Sequence, residues 1–106
     1  MCATSLKKRV VITGVGVVSP IGIGKEVFVQ SLYEGTSGID YISLFDASNL
    51  PTKFAGEVKG FNYEDLLSGM EILRYTKERR LLLANAAARL AVEDANLSQD
   101  TFSNSR

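Results

Sequence analysis

A chain of 106 residues has room for one modest domain and excludes two. Its 45% hydrophobic and 23% charged residues exclude a disordered reading, and 12 Lys and Arg against 12 Asp and Glu leave no bulk field to steer it to nucleic acid or an anionic membrane. It has no His and a single Cys, Cys2, which excludes a Ser-His or Cys-His nucleophile pair, a His general base, a Cys/His zinc site and an intrachain disulfide.

The first predicted element is a strand. From Arg9 to Val18 the residues are β-branched and apolar at successive positions, without the alternation of a half-exposed strand, so both faces are expected to be covered. The uncharged run from Val10 to Gly24 spans 15 residues, short of the ~18 that a membrane-crossing helix needs. Lys7, Lys8 and Arg9 ahead of it resemble the start of a secretory signal, but the glycine-broken run lacks a helical apolar segment and a small-residue cleavage site. A cytoplasmic location is expected. Ser19-Pro20 stops the strand, because proline has no N–H for a ladder, and Gly22 and Gly24 turn the chain.

A helix is predicted over Lys25 to Glu34, with Val27, Phe28, Ser31 and Leu32 on one face packed on the first strand, and with Gly35 in the left-handed position behind it. Ile39 to Pro51 is predicted to be irregular. Lys53 to Val58 sets Phe54, Gly56 and Val58 against Lys53, Ala55 and Glu57, the pattern of a second, more exposed strand. Asn62 caps a short helix with Glu64 and Asp65 in its first turn, and Gly69 stops it.

The longest helix runs from about Thr76 to Ala95. Only Glu78, Asn85, Arg89 and Glu93 are left for water, so the helix is expected to be buried nearly all round. Ala84, Ala88, Ala91 and Ala95 form a smooth track along which another backbone can approach. Asn96 ends the helix, and residues 98–106 form a polar tail expected to fray. A strand apolar on both sides needs neighbouring strands and helices on both faces, and an all-round apolar helix needs protein on most sides. One partner strand and one or two helices cannot meet both demands, so the chain is expected to be part of something larger or half of an intimate oligomer.

Few motifs carry chemistry. Gly14-Val15-Gly16 after a strand opens like a dinucleotide fingerprint, but Ser19 and Pro20 stand where the third glycine and the helix start belong. Glu34 has the spacing of a ribose-binding acid but ends a helix. The glycines are therefore read as serving close backbone packing, with a small nucleotide-binding protein as an alternative. Cys2, without a base to lower its pKa, is read as an inert thiol. Arg74, Lys77, Arg79 and Arg80, with Glu71 and Glu78 among them, form the one local basic cluster: a solvated helix start, or a dock for an acidic partner. With only Tyr75 nearby for stacking, nucleic acid is not expected as a partner.

Taken together, Lys8 to Gly22 resembles the opening of the β-ketoacyl-[acyl-carrier-protein] synthases, the elongating condensing enzymes of fatty-acid synthesis. Leu32 to Gly35, Ser37-Gly38-Ile39, Phe45-Asp46, Lys53 to Lys59, Phe61-Asn62, Ala86 to Arg89 and Glu93 to Leu97 are similar to that family in order and spacing. The resemblance covers about residues 8–97, and implies the amino-terminal part of a thiolase-like layered α/β fold, strand-helix-strand-helix, incomplete as an isolated domain, with residues 1–7 and 98–106 as flanks. It implies a homodimer and acyl carrier protein as partners. No cofactor, metal or membrane is expected. The parent reaction it implies is decarboxylative Claisen condensation of malonyl-carrier protein with an acyl thioester, by a Cys nucleophile and two His residues that lie beyond Arg106 in the family. The isolated chain is therefore expected to be inactive, with a non-enzymatic module that pairs with a synthase subunit as the other alternative. Gly69 to Arg80 departs from the family's usual wording but stays basic. In relatives this neighbourhood meets the acidic carrier, which implies Arg74, Lys77, Arg79 and Arg80 as docking residues.

Overall fold

The computed structural model describes residues 7–98 and 100, apart from the side chains of Ile72 and Arg74. Cys2 and most of the polar tail lie outside the described residues. Pro20 decides where the first regular pairing falls. Strands β1 (Val18–Ser19) and β2 (Gly22–Ile23) form an antiparallel hairpin across Pro20-Ile21, with Val18 opposite Ile23 and Ser19 opposite Gly22. The Ser19 hydroxyl donates to the Gly22 carbonyl at 2.9 Å, and the Gly24 N–H to the Val17 carbonyl at 2.8 Å.

Helix α1 (Lys25–Glu34) has the predicted bounds. Gly35 takes φ 69°, and its N–H and that of Thr36 return to the carbonyls of Leu32 and Ser31, closing the last turn with paired bonds. The helix docks on the hairpin, at β2, rather than on a long first strand: a Cβ on Gly22 would lie 2.6 Å from a Val27 methyl, and the buried Ser31 hydroxyl donates to the Ile21 carbonyl at 2.7 Å. Phe28 is half-buried, whereas Val27 and Leu32 stay exposed.

Residues 39–51, predicted irregular, begin with a strand. β3 (Ile39–Tyr41) pairs antiparallel with β4 (Phe54–Gly56), Ile39 against Gly56 and Tyr41 against Phe54, whose rings stack tilted at 4.8 Å. Three residues of mixed polarity carry no period, and the pairing that makes them a strand comes from a segment far along the chain. The second hairpin abuts the first through Pro20, since a Cβ on Gly38 would lie 2.7 Å from the Pro20 Cβ.

Helix α2 (Tyr63–Leu66) is capped as predicted, the Asn62 side-chain oxygen accepting from the Asp65 N–H at 3.4 Å, and Gly69, φ 80°, lies just beyond its end. After α3 (Ile72–Tyr75), helix α4 (Arg79–Asp94) runs to Asn96, which adopts φ 56° while the N–H groups of Asn96 and Leu97 bond to the carbonyls of Glu93 and Val92. Leu67, Leu82 and Ala86 form the core, with Val18, Phe61, Tyr63, Met70 and Leu73 packed around them.

Two expectations about burial fail together. The strand predicted from Arg9 is paired only at Val18 and Ser19, with Val10 92% and Ile12 89% exposed. The long helix buries only Leu82 and Ala86, leaving Leu81, Ala84 and Ala88 exposed. The segment nevertheless lies against α4. A Cβ on Gly14 would meet the Ala91 carbonyl oxygen at 2.5 Å, and one on Gly16 would meet that of Ala87 at 2.0 Å. Two residues of segment thus advance the contact by one helical turn, the rise of an extended chain running antiparallel to the helix. The approach track is Ala87, Ala91 and Ala95; Ala84 and Ala88 face away from it. The apolar composition asks for cover that these residues do not contain, and no hydrogen bond joins residues 10–14 to another described residue.

Candidate functional site

The entrance to α4 borders an open groove of about 550 Å³ lined by Ser43, Leu44, Glu57, Lys59, Phe61, Tyr63 and Arg79 among others. Its floor is a carboxylate knot. Glu57, 9% exposed, accepts from the Ser43 N–H at 3.0 Å, the Ser43 hydroxyl at 2.7 Å and the Leu44 N–H at 3.0 Å. The alternation of Lys53 to Val58 assigns Glu57 to the polar side; the reversal of the chain at Ser43-Leu44 instead turns donors toward it and buries it, while Phe54 stays exposed. A carboxylate opposite a Ser-Leu turn was the available signal, and it is too generic to read from spacing.

The Ser43 hydroxyl and then the Leu44 N–H hold the Glu57 carboxyl below its usual range. A depressed folded pKa gives stability that is present above the unfolded value, about 4.5, and lost as pH falls through the folded one. The urea midpoint of the chain should therefore drop on acidification below about pH 4.5, and Glu57→Gln should flatten part of that drop. Asp40, Asp46 and Asp94 are also depressed and contribute in the same direction. An unchanged pH profile in the variant would dismiss the knot.

Three of the cations singled out in the sequence gather at the start of α4, and they differ in what they do. The Arg79 guanidinium donates to the Val58 carbonyl at 2.7 Å and lies 5.7 Å from the Phe61 ring centroid, which ties α4 to the groove wall. Arg80 pairs with Glu78. Lys77 is exposed, with no ion pair among the described residues. The Arg74 side chain lies outside the described residues. Arg79 and Arg80 are the first two residues of α4, beside the positive pole of the helix, where an anion is favoured and a cation is not. The arrangement can bind a negative surface. The Glu57 carboxylate is engaged by the Ser43 hydroxyl and by the N–H groups of Ser43 and Leu44, and the chain encodes no His to serve as a base beside it.

Residues 7–106 match the family described as beta-ketoacyl synthase, N-terminal domain. The chain belongs to this family. It is 42% identical over 101 residues to the chloroplastic 3-oxoacyl-[acyl-carrier-protein] synthase I of Arabidopsis thaliana, covering 92% of this chain and 20% of the relative. It is 42% identical over 91 residues to 3-oxoacyl-[acyl-carrier-protein] synthase 2 of Synechocystis, covering 86% and 21%. The ketosynthase/chain length factor for ishigamide superposes with a TM-score of 0.78 at 37% identity, over 90% of this chain and 23% of that one. The fold is thus the thiolase-like mixed α/β type, and the chain spans about a fifth of the length of the curated relatives it matches.

The chain carries one further polar junction that the sequence did not flag. Asp94, in the last turn of α4, accepts from the Val15 N–H at 3.0 Å and pairs with Lys25, the first residue of α1. The Lys25 ammonium, then the Val15 N–H, lower its pKa. Each charge sits at the helix end whose dipole opposes it, so the pair offsets two adverse placements while clasping three segments. The faces of Gly14 and Gly16 are filled by α4, which leaves no space there for a pyrophosphate. Among the described residues no helix is long and apolar enough to cross a membrane, and no cluster of three or more His, Cys, Asp or Glu could hold a metal ion.

Proposed function

We propose that this chain is the amino-terminal part of a 3-oxoacyl-[acyl-carrier-protein] synthase of fatty acid biosynthesis, with residues 8–97 as its share of the domain and a cytoplasmic location. The complete enzyme joins malonyl-carrier protein to an acyl thioester with loss of carbon dioxide. The observation that carries the reading is the continuous likeness to such synthases, 42% over 101 residues in one of them. The open faces of residues 10–17 and of α4 support it, since the remainder of a synthase would cover them. The condensation needs an activated thiolate and preorganised donors for the developing oxyanion. With no His in the chain, and Glu57 committed to its knot, the 106-residue protein should release no carbon dioxide from malonyl-carrier protein above the buffer rate. Release above that rate would overturn the proposal.

In the complete enzyme Arg74, Lys77, Arg79 and Arg80 would dock the acidic carrier protein, and a second synthase subunit would complete a homodimer. Lys77 is exposed, and Arg80 is exposed while paired with Glu78, whereas Arg79 also holds Val58 and Phe61 in place. Titration with acyl carrier protein at low salt should shift amide resonances at the start of α4. Lys77→Glu with Arg80→Glu should weaken the binding about tenfold, an effect that added salt would shrink. Equal binding by the variant would remove these residues from the dock. A second reading, a non-enzymatic module that pairs with a synthase subunit, draws on the unpaired backbone of residues 10–14, and a co-purifying full-length synthase would favour it.

A further inference from the structure

We infer that Arg89, far along α4 from the cations of the proposed carrier dock, is a positioning residue for that dock. The inference rests on the docking reading and adds a residue that would not itself touch the carrier. The Arg89 guanidinium donates through Nη1 to the Ser68 carbonyl at 2.8 Å and through Nε to the Glu93 carboxylate at 3.1 Å. It repeats the tie that Arg79 makes to the Val58 carbonyl, and in both the donor lies 21 residues beyond the acceptor. Positions 79, 82, 86 and 89 recur at spacings of three, four and three, so they share one face of α4. An arginine thus stands at each end of that face, with the buried Leu82 and Ala86 between them, packed on Leu67. Both ties are made within this chain and do not depend on what covers its open faces.

The two ties hold the two ends of the segment 58–68, and residues 69–78 lead from its far end back to the start of α4. Positions 89 and 79 are about 15 Å apart along the helix axis, and an extended connector of this length could reach roughly twice that. Its path is therefore slack and is set by what holds it. Met70 and Leu73 rest against the core and hold its middle. Its first residue, Gly69, takes φ 80° with open space where a Cβ would lie, so no side chain of its own fixes the exit from α2. The Ser68 carbonyl is the last fixed point before it, and Arg89 is its one hydrogen-bond donor among the described residues. This connector carries Arg74 and Lys77 and delivers the chain to Arg79 and Arg80. Release of Ser68 would let the first two cations spread over more positions, which weakens a dock that needs several charges to meet one acidic surface at once.

Amide exchange and titration with acyl carrier protein, each on the wild-type chain and on Arg89→Gln, test this. In Arg89→Gln the N–H groups of residues 69–76 should exchange at least about fivefold faster, those of α1 should keep their rates, and carrier affinity should fall about threefold. Unchanged exchange at 69–76 overturns the inference. So does exchange that quickens equally in α1, because Arg89 would then serve only the stability of the whole. Glu93→Ala separates position from charge. It frees one side of the guanidinium and removes a negative charge, so lost positioning weakens carrier binding whereas electrostatics alone would strengthen it, and an equal or stronger affinity overturns the inference. Glu93 is exposed and alanine is a good helix former, so should Arg89→Gln lose its helices, exchange at 69–76 and carrier affinity in Glu93→Ala decide. Failure of the dock itself reads differently: Lys77→Glu with Arg80→Glu would then bind the carrier like the wild type, and the inference would fall with the dock. Weakened binding in that pair with unchanged binding in Arg89→Gln would keep the dock and remove Arg89 from it.

Discussion

Gly16→Ala is expected to unfold the chain or to leave it only marginally folded. An added Cβ would lie 2.0 Å from the Ala87 carbonyl oxygen and 2.5 Å from the Ala91 nitrogen, and both are helix backbone that cannot swing aside. Relief requires the extended segment to lift from α4, which breaks the Val15 bond to Asp94 and loosens the clasp with Lys25. The cost should be about 3 kcal/mol or more, a large share of the stability of any small domain. Gly60→Ala is the matched control. Gly60 has φ 68° with nothing within 4 Å of the added carbon, so only the left-handed backbone is penalised, by about 1 kcal/mol. Urea midpoints followed by circular dichroism should rank the two in that order, and a Gly16→Ala midpoint no lower than that of Gly60→Ala would mean that the segment does not lie on the helix.

The parts of this fold that were legible in the sequence are the ones whose physics is local. Gly35, Asn62 and Asn96 set helix ends within a few residues of themselves, and each is found at such an end. The close approach of glycine to alanine was legible as a kind of contact, because small residues leave one physical option. Its register was not, because the angle at which a segment crosses a helix depends on what else is packed nearby, and Ala87 serves where Ala84 and Ala88 were expected. β3 was illegible since its partner is supplied at long range, and the Glu57 knot since two amides reach the carboxylate only through a chain reversal. At the candidate dock the cluster of cations was legible from composition, but not that Arg79 spends its guanidinium on Val58 and Phe61.

The largest mismatch lies in residues 10–17. Their β-branched, uncharged character describes a strand buried on both faces, and the structure leaves Val10, Val11, Ile12 and Val15 exposed. Side-chain chemistry thus states an environment that the described residues do not themselves provide. The ketosynthase on which the chain superposes at a TM-score of 0.78 is about four times as long, and under the proposed function its further length is the source of that environment. Leu81, Ala84 and Ala88 on α4 make the same point from the helix side, with half a face finished and half left open.

Leu82→Ala should cost about 3 kcal/mol, whereas Leu81→Ala, one position away on the same helix, should cost less than about 1. Both substitutions make the same change in helix propensity, so their difference isolates packing. Leu82 is 2% exposed against Leu67 and Ala86, with Phe61, Tyr63 and Leu73 around them, and Leu81 is 42% exposed. The cavity left by Leu82 opens where α2 meets α4, which is also what fixes Phe61 beneath the Arg79 guanidinium. Leu82→Ala should therefore move the Phe61 ring resonances and weaken the proposed carrier-protein binding even at temperatures where the chain stays folded, and Leu81→Ala should do neither. Equal midpoints for the two variants would place the core elsewhere; a lowered midpoint with unmoved Phe61 resonances would separate the core from the dock.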